Sequence, residues 1–121
     1  MNEQWIRADN ILHDGRVADN NGNGIVVDAS NVAPNDNLIQ NMQIENNGLN
    51  GIAIYGGAGT QVTDCTISGN NTTKTGYGGI AMVSCSADIK WNYIEDNFCT
   101  GIYLEESADS AIHGNLILGS T

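Results

Sequence analysis

Short apolar runs recur along this chain and are separated by stretches rich in asparagine, aspartate and glycine. Three stretches obey one rule: Val17-Ala18-Asp19-Asn20-Asn21-Gly22-Asn23-Gly24-Ile25, Ile44-Glu45-Asn46-Asn47-Gly48-Leu49-Asn50-Gly51-Ile52 and Ile94-Glu95-Asp96-Asn97-Phe98-Cys99-Thr100-Gly101-Ile102. Each reads aliphatic, any residue, Asn or Asp, Asn, three free positions, Gly, Ile. Ile67-Ser68-Gly69-Asn70 begins a fourth copy that reaches Gly79-Ile80 after an insertion, and Ile117-Leu118-Gly119-Ser120 opens a fifth. Five residues before each aliphatic anchor stands another, at Leu12, Ile39, Val62, Ile89 and Ile112, with spacings of 27, 23, 27 and 23 residues. The longer copies carry extra turn residues, in Asp28 to Asn37 (which holds Pro34) and in Asn71 to Gly78.

A period in the low twenties marks a stacked repeat. Leucine-rich repeats share that length but require Leu at most apolar slots, where this chain uses Ile, Val and Gly. Gly51-Ile52-Ala53-Ile54-Tyr55, Gly79-Ile80-Ala81-Met82-Val83 and Gly101-Ile102-Tyr103-Leu104-Glu105 alternate with period two, as strands with one buried face do. The pattern therefore predicts an all-β fold, a parallel β-solenoid of four to five coils of 23–27 residues. Stacking places Ile25, Ile52, Ile80 and Ile102 in one inner row and Val27, Ile54, Met82 and Leu104 in a second. Asn20, Asn47, Asn70 and Asn97, closed by Ser120, form a ladder at a corner, where Asn is expected to take left-handed turn geometry and bond the coil above or below.

Composition agrees with a repeated use of asparagine. The chain has 121 residues, of which 15 are Gly, 17 Asn and only 1 Pro, a mixture that helices do not tolerate. Residues 1–121 read as a single solenoid segment about 20–25 Å long. Strand edges at both ends need cover. Trp5 and Ile6 are expected to plug one end, and a longer parent chain or a second subunit is expected to cover the other. Lys+Arg number 4 against 14 Asp+Glu, a net charge of -10, which excludes a nucleic-acid partner. No apolar run approaches the roughly 20 residues that span a bilayer as a helix, and the opening Met1-Asn2-Glu3-Gln4 lacks a basic leader segment.

Candidate chemistry lies on the outward positions and the turns. Val26, Ala53, Ala81 and Tyr103 make one outward row; Asp28, Tyr55, Val83 and Glu105, with Glu106 beyond, make another. Such a face is either ordinary solvated surface or a groove for an extended polymer, with Tyr55 and Tyr103 stacking on sugar rings and Asp28 and Glu105 taking hydroxyl hydrogen bonds. Lys74 and Tyr77, on the second insertion, can clamp an acidic sugar if that loop moves, or are simply solvated. Asp14 with Arg16, or Asp64 with a neighbour, are conceivable acid/base pairs. His13 and His113 occupy equivalent slots four coils apart and cannot share a site. Cys65, Cys85 and Cys99 form no CxxC pair, so zinc is not expected, and Cys65 is expected to pack as a small buried residue. No cofactor is required, although the acidic turn Asp19-Asn20-Asn21-Gly22-Asn23 offers oxygen ligands to Ca²⁺.

The coils resemble the right-handed parallel β-helix repeats of pectate-lyase-like proteins. The run Asn47-Gly48-Leu49-Asn50-Gly51-Ile52-Ala53-Ile54-Tyr55-Gly56-Gly57-Ala58-Gly59-Thr60-Gln61-Val62 is similar to the later coils of the mannuronan C5-epimerase catalytic module, and Asn10 to Arg16 and Asn37 to Ile39 are similar to its linking segments. Phage tailspike depolymerases share the same Asn/Gly/Ile pattern. What the resemblance implies is a polysaccharide partner, acidic in the epimerases, whose C5 proton is abstracted before reprotonation or elimination. The epimerase signature Tyr-Gly-x-Asp-Pro-His has no counterpart here, so no catalytic residue is carried over. Two readings follow. One is a segment of an epimerase- or lyase-like protein that supplies scaffold and part of a groove. The other is a non-catalytic glycan-binding or structural module of a tailspike or surface adhesin. Both imply an extracellular, cell-surface or virion-associated setting.

Overall fold

The computed structural model describes residues 1–29 and 36–119; the turn at Pro34 and the ladder position at Ser120 lie outside the described residues. Within them the chain makes five circuits of three strands each. The first circuit is β1 (Gln4–Ile6), β2 (Ile11–His13) and β3 (Arg16–Ala18). The second is β4 (Ile25–Asp28), β5 (Leu38–Gln40) and β6 (Gln43–Glu45), and the third β7 (Ile52–Tyr55), β8 (Ala58–Thr63) and β9 (Thr66–Ser68). Then come β10 (Gly78–Val83), β11 (Ser86–Lys90) and β12 (Tyr93–Glu95), and last β13 (Thr100–Glu105), β14 (Ala111–His113) and β15 (Leu116–Leu118). Every third strand pairs in parallel, giving sheet 1 (β1-β4-β7-β10-β13), sheet 2 (β2-β5-β8-β11-β14) and sheet 3 (β3-β6-β9-β12-β15). No helix occurs among the described residues. The solenoid expected from the repeat is the fold.

Register follows the apolar rows. Ile25, Ile52, Ile80 and Ile102 are successive partners across sheet 1, as are Val27, Ile54, Met82 and Leu104. The anchors Ile39, Val62 and Ile89 of sheet 2 and Val17, Ile44, Ile67 and Ile94 of sheet 3 are fully buried and close the other two walls of one core. A one-residue slip would turn each row outward, so the inward aliphatics hold the register. In the last circuit the same rows come into the open: Leu104, Ile112 and Ile117 are exposed.

The corners depart from the sequence reading in an informative way. The left-handed residue is not the ladder asparagine but the one before it: Asp19, Asn46, Gly69, Asp96 and Gly119 have φ of 60°, 55°, 63°, 55° and 62°. Asp, Asn and Gly are the residues that accept this conformation most easily. The asparagine that follows turns inward. Asn47 donates both its backbone N–H and its side-chain amide to Asn70 Oδ1 (3.2 and 2.9 Å), and Asn70 does the same to Asn97 (2.9 and 3.0 Å). The second amide hydrogen of Asn70 reaches the Ile44 carbonyl at 3.0 Å, so a buried side chain is fully satisfied. The Gly of the repeat is explained by the same ladder. A Cβ on Gly51 would sit 2.8 Å from Asn70 Nδ2 and 2.7 Å from the Gly79 carbonyl, leaving room for nothing larger.

Three further asparagine pairs escaped the sequence reading: Asn10–Asn37, Asn23–Asn50 and Asn92–Asn115, each bonded side chain to side chain across one coil. The N-terminal cover also differs from expectation. Trp5 pairs with Val26 in an outward column and is 63% exposed, so it plugs nothing, although Ile6 does pack against the core. Met1 instead lies against the first circuit: its amino group donates to the Arg16 carbonyl at 2.8 Å, and its own carbonyl accepts from Asn20 Nδ2 at 3.4 Å.

Candidate functional site

In chain order, sheet 1 is where the first insertion leaves, from the end of β4, and where the second enters, at the start of β10. Its outward columns are those expected, with Val26, Ala53, Ala81 and Tyr103 in one and Asp28, Tyr55, Val83 and Glu105 in the other. Of the two readings of this face, ordinary solvated surface does not describe the first column: Val26, Ala53 and Ala81 are buried although they point away from the core.

The second insertion brings an aromatic ring to this face. Asn71 closes the loop on itself, donating to the Gly76 carbonyl (3.1 Å) and accepting from the Gly76 N–H (2.8 Å). Asn50 Oδ1 takes the N–H groups of Tyr77 and Gly78 at 2.7 and 2.9 Å, which ties the loop exit to the coil before it. Tyr77 is thereby brought against Tyr103, the two rings stacked 4.0 Å apart and 8° from parallel. Tyr55 stands close enough to Tyr77 that its phenol, already raised by burial, is pushed further up by it. Tyr103 O–H donates to Glu105 Oε1 at 3.0 Å, and this bond to a carboxylate raises its pKa.

The structure thus brings Tyr55, Tyr77, Tyr103 and Glu105 together, with Asp28 beside Tyr55 in register. Lys74 is not among them. Its ammonium lies 5.1 Å from the Phe98 ring centroid, at the other end of the loop. Lys74 meets Phe98 and Tyr77 meets Tyr103, so each pins the loop to a different aromatic partner.

The other candidates separate. Asp14, Gly15, Arg16, Asn41 and Gln43 line a depression of about 440 Å³. Asp14 accepts from His13 and Asn41, which hold its carboxyl below the ordinary 3.8, and Arg16 is paired with Glu45. A carboxylate so stabilised is a poor proton donor near neutral pH. Asp64 accepts from Thr63 Oγ1 at 3.1 Å and turns a left-handed corner. His13 and His113 lie on the two outermost strands of sheet 2, as expected from their spacing. Cys65 and Cys85 are buried and Cys99 is exposed, all as free thiols; burial pushes the Cys65 thiol up to about 11, so it is unreactive at neutral pH. Among the described residues no cluster of three His, Cys, Asp or Glu side chains could hold a metal ion. Sequence reasoning passed over Trp91, an exposed indole at a left-handed corner, for which the signal was its place in the column Asp14, Asn41, Asp64, Trp91, Gly114.

No curated protein and no solved structure matches the chain. The family described as "Right handed beta helix region" matches residues 5–120, nearly the whole length, in agreement with the parallel three-sheet solenoid. The chain belongs to the right-handed β-helix family.

Proposed function

We propose that this β-helix is a polysaccharide-contacting segment whose sheet 1 face meets an extended glycan, within a protein that binds or modifies polysaccharide. The observation that carries the reading is the convergence of Tyr55, Tyr77 and Tyr103 with the Glu105 carboxylate on one face. Aromatic side chains offer apolar area with polar tips, and flanking carboxylates accept hydroxyl hydrogen bonds. Glu105 and Asp28 on the face, and a net charge of -10 overall, favour an uncharged glycan over the acidic polymer that the epimerase resemblance implies. The epimerase signature Tyr-Gly-x-Asp-Pro-His does not occur in the sequence, so no catalytic step is assigned to sheet 1. A second reading, favoured by the Tyr77–Tyr103 stack itself, makes these rings a latch for the Asn71 to Gly78 loop in a structural module of a tailspike or adhesin.

Affinity electrophoresis through gels containing neutral or uronate polysaccharides separates the two. Retardation by a neutral polymer, weakened in the double variant Tyr77→Ala, Tyr103→Ala, is expected for glycan contact. A parent chain that migrates freely in every gel supports the latch.

A further inference from the structure

Trp91 occupies a corner that the backbone reserves for other residues. Its counterparts in the column are Asp14, Asn41, Asp64 and Gly114, and all five positions are left-handed, with φ of 55°, 52°, 55°, 61° at Trp91 and 69°. A bulky side chain at positive φ is an outlier, and strain of this kind gathers at functional positions. The indole is nonetheless accommodated. Gly114 lies directly under it, where a Cβ would collide with the ring, and His113 meets it edge-on at 5.5 Å between centroids and 80° between planes. The side chain remains 58% exposed.

The two tryptophans differ in what they do with their N–H. Trp5 Nε1 donates to Glu3 Oε1 at 2.9 Å, whereas the Trp91 indole N–H has no partner among the described residues. Tryptophan combines a broad apolar face with one donor, and here more than half of the residue is open to solvent. Around it stand groups of both hydrogen-bonding senses. Lys90 is the adjacent residue and pairs in register with His113, which supplies a second ring nitrogen; Asp64 follows Thr63, the partner of Lys90 on the preceding coil, and supplies carboxylate acceptors, one of them already bonded to Thr63 Oγ1.

We infer that Trp91, with Lys90, His113 and Asp64, forms a binding site for a pyranose ring of a neutral glycan, on a corner of the solenoid away from sheet 1. The flat indole takes the apolar face of the sugar, and the surrounding donors and acceptors serve its hydroxyls. An uncharged ring fits because a polyanion meets Asp64 and the chain's net charge of -10. The site is independent of the reading of sheet 1 above.

The test uses the Trp5→Phe variant, in which Trp91 is the sole tryptophan. It is titrated with cello-, malto-, xylo- and mannohexaose and with oligogalacturonate and oligomannuronate while indole emission is followed. A saturable emission change with at least one neutral hexaose and none with the uronates is expected, and it should persist when Tyr77→Ala and Tyr103→Ala are added, which separates it from the sheet 1 face. In the Tyr77→Ala, Tyr103→Ala background, which lacks the stacked rings of sheet 1, Trp91→Asn should abolish binding of that hexaose by calorimetry while Tm holds or rises by a few degrees, since Asn suits the left-handed corner. No response to any neutral hexaose, a response to uronates alone, or undiminished binding by Trp91→Asn would overturn the assignment.

Discussion

At the scale of single residues, the chain is organised by which side chains tolerate a left-handed corner and which fill the space behind it. Half of the 14 acidic residues, namely Asp9, Asp14, Asp19, Asp36, Asp64, Asp96 and Glu106, sit at positive φ. Much of the negative charge therefore coincides with corner geometry, because Asp shares with Asn and Gly the capacity for this conformation. The inward asparagine that follows has a different task and a different sensitivity. Asn70→Ala removes an acceptor for two buried Asn47 donors and a donor to the Ile44 carbonyl, and should destabilise the fold by about 2–4 kcal/mol. Asn46→Gly, one position before the ladder on the adjacent coil, keeps the left-handed corner and should stay within about 1 kcal/mol of the parent. Urea denaturation of the two variants distinguishes the roles. Sequence alone merged them, since the rule "Asn or Asp, then Asn" shows two polar positions and not which one faces inward.

At the scale of strands and loops, the sequence displayed the elements well because their signal is local. Period-two alternation and the aliphatic anchors placed the sheet 1 strands and gave the inner rows their partners, and the structure pairs them as read. What it did not display is contact across coils between residues of unlike type. The Tyr77–Tyr103 stack joins a loop to a strand 26 positions on, and no spacing rule links them. The same holds for Lys74 on Phe98, and for the burial of the outward-pointing Val26, Ala53 and Ala81. The Tyr103–Glu105 bond gives this region a pH signature. The Tyr103 pKa lies above its ordinary 10.0 in the folded chain, so the bond's contribution is fully present below pH 10 and is lost as pH rises through the raised value. Denaturation midpoints followed from pH 9 to 12 should fall more steeply for the parent than for Tyr103→Phe.

At the scale of the whole molecule, the three five-stranded sheets make a short rod with unlike ends and unlike sides. Met1 lies against the first circuit, while Leu104, Ile112, Leu116, Ile117 and Leu118 are exposed on the last. Among the sides, sheet 1 gathers three tyrosines and a carboxylate. Whether this side contacts glycan is answered by amide chemical-shift mapping of the labelled chain with a neutral polysaccharide fragment. The expected result is a saturable set of shifts at Tyr55, Tyr77, Tyr103 and Glu105. A fragment that binds and leaves those four amides unmoved, or a full set of neutral fragments that moves none of them, contradicts it.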